Sequence, residues 1–181
     1  VEHVPWARDL ARHLLAEPLP TRWAHVRGVG HTAEDIAHIV GDDAELLICA
    51  AWLHDIGYAP DLNKAGFHPL DGARYLRDVE HADERLIRLV ANHSCALVEA
   101  RNRGLAEDLA GEFPSPADLV LDALTFCDMT TSPTGTPVDL EQRLAEAFGR
   151  YGDGHLVTRS LTQARPLLEA STSRVLVALG R

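Results

Sequence analysis

Strict alternation of apolar and polar residues is almost missing from this chain of 181 residues, which argues against a sizeable β-sheet. Cysteine is scarce too. Cys49, Cys95 and Cys127 are odd in number, lack CxxC spacing and lie in apolar contexts, so they read as reduced core thiols. No apolar run approaches about 18 residues and no charged leader with a long apolar segment opens the chain, so neither a membrane span nor a signal peptide is expected. Together these features point to the cytoplasm. The first residue is Val, and a short N-terminal piece is expected to be missing. Positive charge is also in short supply: 17 Lys and Arg stand against 27 Asp and Glu, a net charge of -10. That balance disfavours duplex nucleic acid, which needs a basic footprint. A small anion remains compatible if a metal ion or a local Arg cluster receives it.

What is abundant is apolar residues, 46% of the chain, recurring mostly at spacings of three and four. The pattern predicts an all-α protein of one domain spanning residues 1–181, long enough to bury a substantial core. Helices are expected over Pro5 to Ala16, Arg22 to Val40, and from about Asp42 to His54-Asp55. The last is apolar all round, which makes it the central buried helix. A loop from Gly57 to Phe67 leads to a short helix starting at Pro69. Further helices are expected at about Asp83 to Val98, Ser115 to Met129, Leu140 to Tyr151 and Val157 to Leu179. No repeat, low-complexity segment or interdomain linker is visible.

The run Leu46-Leu47-Ile48-Cys49-Ala50-Ala51-Trp52-Leu53 ends in His54-Asp55, an ionisable pair where an ionised carboxylate should not belong. Burying an unpaired Asp costs several kcal/mol, so protonation, a cation or a metal ion must compensate it. Helix faces identify company for it, because residues three, four or seven apart share a side. His93 follows Leu86, Leu89 and Val90 on their stripe, Asp128 follows Leu121 and Leu124, and His25 shares a face with Val29 and Ile36. His31, Asp35 and His38 form a separate, solvated stripe, and Asp118 and Asp122 fall on the face opposite Asp128. His68 lies just before a helix start, where the loop could turn it inward. Four imidazoles and two carboxylates without thiolate suit a borderline divalent ion such as iron, manganese, zinc or nickel, and six donors with a bridging carboxylate suit two ions. Asp122, Thr125 or backbone carbonyls could orient the imidazoles.

Trp23-Ala24-His25, then His54-Asp55-Ile56-Gly57, then Asp128 resembles the HD-domain superfamily of metal-dependent phosphohydrolases, over about Thr21 to Asp128. With His68 and His93 the order is His, His-Asp, His, His, Asp, as in the two-metal branch. The resemblance implies a helical bundle around a metal centre, with a metal-binding core at about 21–128 and C-terminal helices at about 139–179. It implies that His25, His54, Asp55 and Asp128 hold one ion, that His68 and His93 hold the second, and that Asp55 bridges. Tyr58 stands where several members carry Lys. The Glu-Asp pair of alarmone hydrolases and the Gly-Tyr-Pro signature of cyclic-dinucleotide phosphodiesterases are absent, which lowers those substrates.

The expected activity is hydrolysis of a small phosphate ester, nucleotide or dinucleotide polyphosphate by a metal-activated water. Two alternatives stand beside it: a di-iron oxygenase of the same superfamily and a non-catalytic nucleotide sensor. Candidate substrate contacts are Arg22, Arg27, Lys64, the chain's only lysine, and Arg74, followed by Thr130 and Thr131 in the hydroxyl-rich segment after Asp128, and Arg143. Asp61 and Asn63 suit turn formation. The expected partner is a small phosphate-containing anion, with no duplex nucleic acid and no membrane; an oligomer is compatible.

Overall fold

A computed structural model describes residues 3–181, and among them every extended element is helical. Helix α1 (His3–Leu15) and α2 (Pro20–Ile36) lead into a short 3-10 stretch (Ala37–Asp43) and α3 (Ala44–Leu53). Then come α4 (His68–Asp78), α5 (Glu84–Asn92), α6 (Ala96–Arg103), α7 (Ala106–Glu112), α8 (Leu119–Met129), α9 (Leu140–Tyr151) and α10 (Leu156–Ala178). Helix α3 is the central one that its composition demands: it packs against α1, α2, α5 and α8, with Leu47, Ala50, Ala51, Trp52 and Leu53 buried. Helix α10 lies along α8 and touches α6 and α9. No helix among the described residues is long and apolar enough to cross a membrane.

Boundaries differ from the periodicity where local chemistry intervenes. The helix expected over Asp83 to Val98 is two helices. It breaks at His93, Ser94 and Cys95, with Ser94 at φ 50° and Cys95 at φ 60°. Positive φ is disfavoured for residues with a Cβ and persists only where surroundings hold it. Here Ser94 N–H donates to Thr125 Oγ1 at 3.2 Å, and the Asn92 amide donates to Arg88 O and Phe113 O, each at 2.9 Å. After the break α6 runs to Arg103, capped by Gly104 at φ 74°, and α7, which the periodicity did not suggest, follows. The Asp139 capping box starts α9 at the expected residue.

Two glycines bring the site's walls together. A Cβ on Gly57 would lie 2.0 Å from the His68 carbonyl oxygen, so only glycine allows α4 to approach the turn after Asp55 so closely. Gly28 likewise meets Gly135 and Thr131, which lets the loop after α8 fold over α2. Buried Asp71 accepts from Ala65 N–H at 2.8 Å and Phe67 N–H at 3.2 Å, fixing the loop that delivers His68.

Candidate metal centre

The six inward side chains meet. Asp55, 3% exposed, sits at their middle, just past the C-terminus of α3. Its Oδ2 lies 3.3 Å from His54 Nε2 and 3.8 Å from His25 Nε2, and its Oδ1 lies 3.2 Å from His68 Nε2 and 3.8 Å from His93 Nε2. Asp128 Oδ1 is 3.0 Å from His25 Nε2 and 3.9 Å from His54 Nε2. Two trios each offer donor atoms within 4.8 Å of one another: His25, His54 and Asp128, and Asp55, His68 and His93.

The imidazoles are oriented by backbone. Nδ1 of His54 lies 2.7 Å from Ala51 O, Nδ1 of His93 lies 2.7 Å from Val90 O, and Nδ1 of His25 lies 3.0 Å from Ser132 O. A carbonyl oxygen can only accept, so each Nδ1 carries a proton, and in the neutral imidazole each Nε2 is left with its lone pair toward the centre. The Nε2 atoms then face carboxylate oxygens and one another: His68 Nε2 and His93 Nε2 are 3.2 Å apart, and among the described residues buried His54 Nε2 has no hydrogen-bond partner. Lone pairs so crowded repel unless a cation or proton lies among them, and the donor set fits a divalent metal ion. Of the orienting groups expected, the backbone carbonyls serve. Thr125 instead holds Ser94, and Asp122 binds Ser171 and Arg174.

Burial alone would raise the Asp55 carboxyl, but His54 and then Arg22, whose Nη1 donates to Oδ2 at 2.7 Å, outweigh it and hold the group well below the ordinary range. Burial would likewise raise Asp128, and His25 and His54 pull it far down; Ser94 Oγ donates to its second oxygen. Burial lowers the His68 imidazole well below its usual value despite Asp55, and His93 is lowered by burial and by His54. His54 moves up, because the Asp55 charge overcomes its burial. Tyr58 stacks on His68, centroids 4.0 Å apart, and the Arg22 guanidinium lies 4.1 Å from the Tyr58 ring centroid. Burial raises the Tyr58 phenol, which keeps it protonated.

A cleft opens over Asp55, His68, His93 and Asp128. Of the basic residues considered from sequence, Arg22 and Arg143 line it. Lys64 and Arg27 are exposed and do not line it, because the loop tip and the outer face of α2 point to solvent. Arg74 is held by Glu112 on α7. The Thr130 and Thr131 hydroxyls turn back to the α8 carbonyls of Phe126 and Cys127, at 2.7 and 2.8 Å, and do not form the wall. Asp61 and Asn63 are exposed loop residues. The stripe of His31, Asp35 and His38 is exposed, as its face predicts. Cys49 and Cys127 are buried free thiols, pushed up chiefly by burial, Cys49 to about 12, and Cys95 is half-buried. The sequence reading missed Ser94, Arg150 and Tyr151 as cleft residues. Seven-residue spacing from Arg143 to Arg150 on α9 was the available signal for one of them.

Fold and centre together define an all-helical protein with a buried His and Asp cluster suited to a divalent metal ion. The chain belongs to the HD domain family, whose model matches residues 22–132. That family lies in the metal-dependent phosphohydrolase superfamily, and its members are generally hydrolases. No curated protein and no solved structure matches the chain.

Proposed function

We propose that this protein is a metal-dependent phosphohydrolase acting on a small phosphate ester, nucleotide or dinucleotide polyphosphate. His25, His54, Asp55 and Asp128 would hold one divalent ion, His68 and His93 a second, with Asp55 shared. The observation that carries the reading is that the two oxygens of Asp55 face different sets of imidazole Nε2 atoms. Bound there, such ions supply Lewis acidity toward a phosphoryl group and a water activated at neutral pH.

The chain's own residues prepare for this. The carbonyls of Ala51, Val90 and Ser132 keep three imidazoles in the tautomer that a metal ion needs. Ser94 holds Asp128 in place. Arg22 reaches both Asp55 and the cleft, where its charge favours a phosphoryl oxygen. Phe67, Met129 and Leu161 add apolar lining that limits water.

The test is metal analysis of freshly purified protein, followed by an anaerobic phosphatase screen with nucleotides and phosphosugars. The expected result is up to two metal equivalents and phosphate release without oxygen. Turnover only with iron and oxygen would replace the reading by an oxygenase. Tight nucleotide binding with no phosphate released across the panel would replace it by a sensor.

A further inference from the structure

We propose that Arg143, steadied by Glu146 and flanked by Arg150, is a second anion subsite, so that the substrate carries another anionic group besides its phosphoryl group. The proposal deepens the phosphohydrolase reading and rests on it for where the phosphoryl group lies.

Arg143 is 9% exposed, a degree of burial rare for a guanidinium that lacks full pairing. Its Nη1 donates to Glu146 Oε2 at 2.7 Å, while its Nε is sealed from solvent with no hydrogen-bond partner among the described residues. A buried donor left so is costly, and a small shift of the guanidinium toward an anion in the cleft would relieve it. Arg143 lines the cleft that contains Asp55, His68, His93 and Asp128, and also the adjoining recess formed by Pro20, Thr21 and His25. Arg150 lines both as well.

Charge accounting singles out Arg143. Arg22 has a carboxylate of its own, Asp55 at 2.7 Å, whereas Arg150 lies 3.2 Å from Glu146, which therefore serves two guanidiniums with one carboxylate. One positive charge is left over at the rim of a chain whose net charge is -10. A planar guanidinium held by a neighbouring carboxylate is suited to receive a carboxylate or phosphate through its remaining N–H groups. Arg143 and Arg150 both lie outside residues 22–132, the part shared with the family. This wall is thus contributed by α9, and it is where this chain can differ in what it accepts.

The test uses non-hydrolysable probes on the metal-loaded full chain, read by titration calorimetry: phosphonoacetate, 3-phosphonopropionate, 4-phosphonobutyrate and methylenebisphosphonate, each against the alkylphosphonate of matching length. At least one doubly anionic probe is expected to bind about tenfold or more tighter than its partner, and the Arg143→Met variant to lose that advantage. Which probe gains tells a carboxylate from a phosphate. Glu146→Gln, which removes the competing charge, should strengthen the doubly anionic probe and leave the alkylphosphonate unchanged; Arg150→Met should weaken it by a smaller factor. If Arg143→Met fails to fold, these two variants decide. Equal affinity within every pair, or an advantage that survives all three substitutions, overturns the subsite. The readout is binding, so a failed phosphatase screen would leave it standing as a result about the cleft.

Discussion

The Asp55 carboxylate faces His54 through Oδ2 at 3.3 Å and His68 through Oδ1 at 3.2 Å, so one side chain joins two clusters of imidazoles. Substituting His68 or His93 by Ala is therefore expected to remove about one metal equivalent and leave the helical fold, whereas Asp55→Ala disturbs both sites. Elemental analysis of each purified variant checks this, with His31→Ala and His38→Ala as exposed controls. Unchanged metal content in His93→Ala would sink the two-ion arrangement.

Arg22 stabilises a buried carboxylate that a metal ion would also stabilise. Arg22→Met should cost the metal-free protein about 2 kcal/mol, less than a fully buried pair because Arg22 is partly exposed. The loss should shrink once metal is added, since the ion takes over the compensation of Asp55. Thermal melts with and without metal compare the two, and an identical loss in both states would count against the idea.

Gly57→Ala puts a methyl group 2.0 Å from the His68 carbonyl oxygen, a backbone clash that only movement of α4 relieves. The expected destabilisation is about 2–4 kcal/mol, accompanied by loss of metal, because His68 moves with its helix. Gly111→Ala, at an exposed position of α7 where a methyl group would meet nothing within 4 Å among the described residues, should instead stabilise by about 0.5–1 kcal/mol. Denaturant melts of both variants suffice, and a neutral Gly57→Ala would refute the close-approach argument.

Glu112 ties α7 to Arg74 and Arg77, and the hydrogen bond from Arg74, ahead of the opposing effect of burial, holds its carboxyl below the ordinary value. A depressed folded-state pKa means that the stabilisation is present above the unfolded value of about 4.3 and is lost as pH falls through the folded value. Glu112→Gln should then be less stable than the parent by about 0.5–1 kcal/mol at pH 7, a modest figure because solvent screens the cluster. The gap should narrow as pH falls below the unfolded value and through the folded one. A gap independent of pH would assign the effect to packing instead.

Much of the centre is legible in the sequence. His25, His93 and Asp128 share faces with apolar neighbours on single helices, and Asp55 ends a run that only a buried helix tolerates. The break at His93 could not be read, because Ser94 and Cys95 are neither Gly nor Pro; their positive φ values are held by Thr125 and the surrounding helices. The threonines after Asp128 looked like a substrate wall, but their hydroxyls found nearer acceptors one helical turn back. Lys64 and Arg27 drew attention by their nearness in sequence to the His-Asp motif. Nearness in sequence says little about which way a loop tip or an outer helix face points.

What the sequence determined by itself is the helical class, the buried α3 and the inward direction of its polar residues, since each depends on periodicity within one element. Only the tertiary structure decided that the Ser132 carbonyl meets His25 Nδ1, that Arg22 neutralises Asp55, and that Arg143 and Arg150 of α9 reach the rim of the same cleft. Those relations join residues far apart in the chain, as with His25 and Ser132, 107 positions apart. Their energy comes from desolvation and charge at a point where several helices meet, and no single helix carries that information.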